Sequence, residues 1–185
     1  MRVLVVCTAN VCRSPMAAAL LARHLRKEGV DALVSSAGTQ AGIVPGDGEA
    51  VRTMRDVGLD ISAHGPRPVD REILATDGAD LVVTMTRAHL RTIALATPGT
   101  FGRTFTLREL SRRVAAAVPT TDGERGLAAM LGAMSVGRST KDLLGDDPVD
   151  DVADPYGMSP ATYRRTAEEL DELTGAVARA VGRWT

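Results

Sequence analysis

Residues 3–18 read Val-Leu-Val-Val-Cys-Thr-Ala-Asn-Val-Cys-Arg-Ser-Pro-Met-Ala-Ala. The stretch 2–6 is rich in β-branched residues and shows no polar alternation, the signature of a strand buried on both faces. Ser14-Pro15 then reads as an N-cap followed by proline at the first helical position. Met16, Leu20, Leu21 and Leu25 continue at helical spacing, and Gly29 supplies a stop. A strand, a short polar loop and a helix in that order open a βαβ unit. The loop itself, 7–14, starts on cysteine and ends on arginine and serine in a Cys-x5-Arg-Ser spacing.

Working outward, the sequence predicts further strands at 32–36, 80–85 and 103–107, and helices at 49–57, 88–96, 108–118 and 160 to about 181. Gly58 stops the first of these helices. Ser159 caps the last, whose Tyr163, Ala167, Leu170, Thr174, Val177 and Val181 share one stripe. Alternating strands and helices imply right-handed crossovers and a four-stranded parallel sheet between two helical layers, a three-layer α/β/α fold. Ligands of such sheets bind beyond the carboxyl ends of the strands, which directs attention to the loop 7–14. The chain 1–185 reads as a single domain. Residues 119–150 are glycine-containing and weakly periodic, and a partly helical or mobile insertion is expected there.

Composition removes several function classes. With 185 residues, 44% hydrophobic and 24% charged, the chain has the size and make-up of one globular domain with its own core. A net charge of −1 and a pI near 6.3 argue against a nucleic-acid binder, and 3% aromatic residues leave no base-stacking platform. Cys7 and Cys12 are the two cysteines, too few for a disulfide framework or a cysteine-rich zinc site. His24, His64 and His89 are isolated, read as surface or packing residues, and show no metal-ligand spacing; no metal or cofactor is expected. The longest apolar run, 16–22, is far below the roughly 20 residues that span a bilayer, and no signal peptide is legible. A cytoplasmic monomer with no membrane or nucleic-acid partner is the expectation.

The loop has a chemical logic of its own. Backbone N–H groups of residues 8–13 that wrap a tetrahedral oxyanion, backed by a helix N-terminus, form an anion cradle. The same field favours the thiolate of a cysteine at its base, here Cys7. Arg13, at the far end, is placed to fold back and hold two oxygens through its fork. Ser14 is placed to donate a hydrogen bond to the sulfur. Asn10 is expected to brace the loop in a left-handed or otherwise uncommon conformation.

On these residues the chain resembles the low molecular weight protein tyrosine phosphatases. Ser36-Ala37-Gly38-Thr39 is similar to a loop of that family, as are Gly58-Leu59-Asp60-Ile61-Ser62-Ala63-His64 through Arg67, the stretch 80–90, and Asp154-Pro155-Tyr156. The resemblance implies a cysteine-dependent, metal-independent hydrolase acting on a phosphorylated protein, phosphotyrosine above all, or on a small aryl phosphate. It implies Cys7 as nucleophile, Arg13 as oxyanion grip and Asp154 as acid. Thr8, Ala9, Asn10, Val11, Cys12, Arg13, Ser14 and Tyr156 are then the substrate-binding residues. Asp147-Pro148 is a second Asp-Pro pair, but Asp154 has the aromatic Tyr156 beside it and stands just before the last helix. Cys12 reads either as a thiol that protects Cys7 through a reversible disulfide or as a small residue in the loop wall.

Three features depart from the family. The segment from about 112 to 150 is longer than the norm. Gln40-Ala41-Gly42-Ile43 carries no aromatic where a cleft wall is common, and Gly157 follows Tyr156 where some members have further tyrosines. The run Asp142, Asp146, Asp147, Asp150, Asp151 and Asp154 has no basic residue within it and reads either as like charge crowded around the acid or as a solvated loop whose only effect is solubility. An arsenate reductase using an external small thiol is the rival reading, since no cysteine follows Cys12 to serve a thioredoxin-coupled route. A noncatalytic phosphate-binding module is the other.

Overall fold

Strand β1 (Arg2–Cys7) runs through the middle of a four-stranded, all-parallel sheet of order β2-β1-β3-β4, with β2 at Leu33–Gly38, β3 at Leu81–Thr84 and β4 at Thr104–Thr106. The structure is a computed structural model and describes residues 1–42, 46–75, 78–117, 125–145 and 148–185. The unbroken apolar run of β1 follows from its position: Val3, Val5 and Cys7 enter one core and Leu4 and Val6 the other, all of them buried.

The larger core is closed by helices α1 (Arg13–Lys27), α2 (Gly48–Asp56), α5 (Leu107–Ala116), α6 (Leu127–Ser135) and α7 (Pro160–Trp184). The smaller holds Leu74 of α3 (Arg71–Leu74) and Ile93 of α4 (Arg87–Ala96) against the opposite face of the sheet. The three-layer α/β/α architecture is therefore the one expected. The predicted stripe of α7 is buried from Tyr163 to Val181, and the helix lies along α1 and α5. Ser159 accepts from the Thr162 amide at its start, and Gly29 and Gly58 close α1 and α2 at φ of +73° and +77°.

Local differences have local causes. The expected strand 103–107 is shorter because Thr106 turns to cap α5 through the Glu109 amide. The four residues of α3 are too few for a periodic signal. Ser14 does not cap α1: the helix begins at Arg13, Cys12 occupies the cap position without a side-chain hydrogen bond, and the Ser14 hydroxyl is used elsewhere.

The expected insertion contains α6, whose Met130 and Met134 are buried, followed by short 3-10 turns at Thr140–Leu143 and Pro148–Asp150. Arginines staple this region to the sheet side. Arg138 pairs with Glu109, donates to the Phe101 and Thr104 carbonyls, and lies about 4 Å over both the Phe101 and Phe105 rings. Arg91 donates to the Leu143 and Gly145 carbonyls. Among the described residues no helix is long and apolar enough to cross a membrane.

Candidate active site

The loop leaving β1 turns at Asn10, a fully buried residue at φ +59°, the left-handed conformation anticipated for it. Its side chain is fully engaged. Nδ2 donates to Ser14 Oγ and Ser36 Oγ, both at 2.9 Å, and Oδ1 accepts from the Arg67 amide at 3.0 Å. Its carbonyl faces His64 Nε2 at 2.7 Å. Arg67 Nε in turn donates to the Ser36 carbonyl. Residues 36, 64 and 67 thus brace the loop from behind. His64, expected to be a surface or packing residue, is part of that brace.

Gly38 is required by close approach. A Cβ there would lie 2.5 Å from the Thr8 carbonyl oxygen, while the Thr39 and Gln40 amides donate to the Cys7 and Thr8 carbonyls. The loop is thus fixed to the end of β2 through its backbone, beside the Asn10–Ser36 side-chain contact. Its carbonyls point outward to these partners, and inside it the Asn10 amide donates to Cys7 Sγ at 3.3 Å. Ser14 Oγ is 3.0 Å from the same sulfur. Ser14 accepts from Asn10, so its own proton goes to Cys7 or to the Ala37 carbonyl at 3.5 Å, and the sulfur is the nearer of the two.

Arg13, 5% exposed, folds back over the loop. Nη1 donates to the Val152 carbonyl at 3.2 Å, and Nη2 to Thr8 Oγ1 at 3.3 Å and to a carboxylate oxygen of Asp154. Asp154 reaches the loop on a well-anchored segment. The Val152 amide donates to the Met85 carbonyl, and Asp151 accepts from the Arg87 amide at the start of α4. Asp150 pairs with Arg112, and the Tyr156 amide donates to Asp154 Oδ1. Of the run expected to crowd like charge around the acid, the described Asp150 and Asp154 face guanidinium groups and Asp151 a helix N-terminus, all from outside the run. Asp146 and Asp147, the competing Asp-Pro aspartate included, lie outside the described residues, as do the side chain of Asp142 and all of Ile43.

These groups meet in one cavity of about 480 Å³. Cys7 is in its wall, with Thr8, Ala9, Val11, Cys12 and Arg13 from the loop and Asp154 and the exposed Tyr156 from the segment before α7. The side chains of Asn10 and Ser14 stand behind the loop rather than in the cavity. Asp47 also lines it, a residue the sequence left unremarked. It caps α2 through the Ala50 amide and accepts from Tyr163 OH at 2.8 Å. Cys12 Sγ approaches that hydroxyl at 3.9 Å, and burial, reinforced by Asp47, pushes the Cys12 thiol well above its ordinary range. Both cysteines are buried free thiols.

His89 is buried as well, but against the loop. Its ring bonds Thr8 Oγ1 at 2.9 Å through Nε2 and Thr86 Oγ1 at 2.8 Å through Nδ1. Burial, and then the charge of Arg13, lower its pKa from 6.5 to about 4. Among the described residues no three histidine, cysteine or acidic side chains are grouped to hold a metal.

Comparison with known proteins agrees with this geometry. A protein-arginine-phosphatase of Bacillus subtilis (strain 168) is 30% identical over 97% of this chain and 95% of its own length. A probable low molecular weight protein-tyrosine-phosphatase of Ralstonia solanacearum is 37% identical over 60% of this chain and 72% of its own. The solved structure of a low molecular weight protein tyrosine phosphatase from T. tengcongensis superposes with a TM-score of 0.71 at 32% identity, covering 97% of this chain and 98% of that one. The family profile described as low molecular weight phosphotyrosine protein phosphatase matches residues 2–122, from the first strand through the cysteine loop and on past the sheet. With that match, the strand, loop and helix quoted at the outset are those of a known phosphatase architecture, and the chain belongs to the low molecular weight phosphotyrosine protein phosphatase family.

Proposed function

We propose that this protein hydrolyses phosphate monoesters carried by proteins, phosphotyrosine foremost, through a cysteinyl-phosphate on Cys7 and without a metal or cofactor. The observation that carries this reading is the convergence on Arg13. One guanidinium, buried in the cavity that Cys7 lines, bonds both the phosphate loop (Thr8) and the acid segment (Asp154 and Val152). The Cys7 sulfur attacks phosphorus while Arg13 and the amides of residues 8–13 hold the non-bridging oxygens. The bond to the leaving oxygen breaks, and Asp154 delivers its proton there. Asp154 then takes a proton from water, which displaces Cys7 from phosphorus and releases inorganic phosphate. The hydrogen bonds from Ser14 and Asn10 to the sulfur stabilise it on entry and on departure. The free thiols suit a reducing compartment, and we place the enzyme in the cytoplasm as a monomer.

The Tyr156 ring offers one face to an aryl leaving group. A second reading, phosphoarginine, is favoured by one specific feature. Asp47 and Asp154 put two carboxylates in the same cavity, which suits a guanidinium next to the phosphoryl group. The Bacillus subtilis relative that aligns along the whole chain bears the name of that activity. A thioredoxin-coupled arsenate reductase is disfavoured by the lack of any cysteine after Cys12, which leaves only the type using an external small thiol as a rival.

Hydrolysis of a generic aryl phosphate by the parent and by Cys7→Ser, each with and without chelator, tests the chemistry. The parent is expected to be active in both conditions and the variant inactive in both. Activity abolished by chelator and restored by a divalent metal overturns it. Turnover of phosphotyrosine and phosphoarginine peptides of one sequence then selects the substrate, and Asp47→Asn lowers only the phosphoarginine rate if the second reading holds.

A further inference from the structure

We infer that His89 is a positioning residue for Arg13, acting on it through the hydroxyl of Thr8. The argument is one of donors and acceptors. Arg13 has no acceptor, so in its 3.3 Å contact with Thr8 the oxygen accepts. The Thr8 hydrogen must therefore point elsewhere, and His89 Nε2 stands 2.9 Å away. Nε2 is the ring nitrogen on the side of the guanidinium, where a lone pair is favoured over an N–H. Thr8 accordingly donates to Nε2, leaving Nδ1 protonated and donating to Thr86 Oγ1 at 2.8 Å. Thr86 is itself fixed, because its Oγ1 also accepts the main-chain N–H of His89 and caps α4. A directed chain results: the start of α4 orients the imidazole, the imidazole orients the Thr8 hydroxyl, and the hydroxyl presents its lone pair to Arg13. A neutral ring is what the chain needs, and burial beside Arg13 keeps it neutral.

The consequence falls on the phosphoryl group. Nη2 of Arg13 is shared between Thr8 and Asp154, and Nη1 is held by the Val152 carbonyl. A phosphoryl dianion competes with Asp154 for the guanidinium. Thr8 and Val152 keep one hydrogen bond on each terminal nitrogen during that exchange, so the plane of the fork does not swing as its anionic partner changes. His89 never touches substrate. Its contribution is to fix which way the Thr8 hydroxyl points. This rests on Arg13 being the phosphoryl grip.

The test is a double-mutant cycle read by two measurements. Turnover of an aryl phosphate reports the reaction, and the affinity for inorganic phosphate, by calorimetry on the full chain, reports Arg13 directly. His89→Phe and Thr8→Val should each lower kcat/KM and weaken phosphate binding by about tenfold, the loss that accompanies one hydrogen bond to a charged group. The double variant should be no worse than the weaker single variant. His89→Gln, which sets an amide at the Nε2 position, should recover most of both quantities. Multiplying losses in the double variant, a His89→Gln as impaired as His89→Phe, or unchanged phosphate affinity would each overturn the inference, since a packing role predicts one of them. Should His89→Phe fail to fold, Thr86→Val replaces it in the same cycle, with the same outcomes. A parent that binds phosphate but turns over no aryl phosphate defeats the proposed function, while the affinities still decide the role of His89.

Discussion

Acidification should destabilise the fold through His89, and replacing that residue should remove the effect. In the unfolded chain the imidazole titrates near 6.5; in the fold its value lies at about 4, because burial, and then the Arg13 charge, disfavour the imidazolium. Between these values the unfolded chain binds a proton that the folded chain does not. Stability from this group is therefore fully present above 6.5 and is lost as the pH falls toward 4. At about 1.4 kcal/mol per pH unit the full loss comes to about 3 kcal/mol, a large part of a typical domain's roughly 5–15 kcal/mol. The residue is only 7% exposed, so solvent does little to screen it. Carboxylates titrate in the same range, and the informative quantity is the difference between parent and His89→Gln. Urea unfolding of both proteins at about pH 7 and about pH 4 supplies it, with equal m-values as the check that the unfolded states match. The parent should lose about 3 kcal/mol more than the variant over this window. Parallel curves of stability against pH would show that His89 is protonated in the fold at the same pH as in the unfolded chain, and would refute the reasoning.

Three further outcomes follow from the cavity. Ser14→Ala removes one of the two hydrogen bonds to Cys7 Sγ, so release of the cysteinyl-phosphate should slow by about tenfold or more. A chromophoric aryl phosphate should then show a burst before a reduced steady state, and a steady state within twofold of the parent refutes the role. Arg13→Lys keeps the charge but offers a single nitrogen where two now bridge Val152, Thr8 and Asp154; kcat should fall by about 100-fold, and near-normal turnover in a stopped assay counts against the grip. Cys12→Ser should leave turnover close to the parent's, because its thiol is held protonated by burial. After mild peroxide the parent should regain activity with a thiol reductant through reduction of a Cys7–Cys12 disulfide, whereas the variant should not. Equal recovery of both proteins would assign Cys12 to the loop wall alone.

Sequence alone determined the parts of this protein whose causes are local. The β-branched run at 2–6, the turn at Asn10 and the stripe of α7 each follow from the residues of one segment, because strand burial, left-handed backbone and helical periodicity are set within a few positions. The Cys-x5-Arg-Ser spacing placed Cys7 and Arg13 in one loop for the same reason, and the Asp-Pro-Tyr resemblance brought in Asp154 from 141 residues away. Tertiary structure decided which side chains complete the loop. Ser36, His64 and Arg67 brace Asn10 from behind, His89 reaches Thr8 across 81 residues, and Asp47 joins the cavity by way of Tyr163. Ser36, His64, Arg67 and His89 lie in stretches that resemble the family, but the resemblance gave none of them a role, and Asp47 has no spacing that marks it. Each is an ordinary polar residue until parallel pairing of β1 with β2 and β3 brings the chain segments that follow these strands beside one loop. The partners of the described aspartates of the acidic run were likewise decided in three dimensions, since the Arg13 and Arg112 guanidinium groups and the Arg87 amide come from other elements. Hydrogen bonds and ion pairs act over a few ångströms of space, and only the packed sheet converts distance along the chain into that proximity.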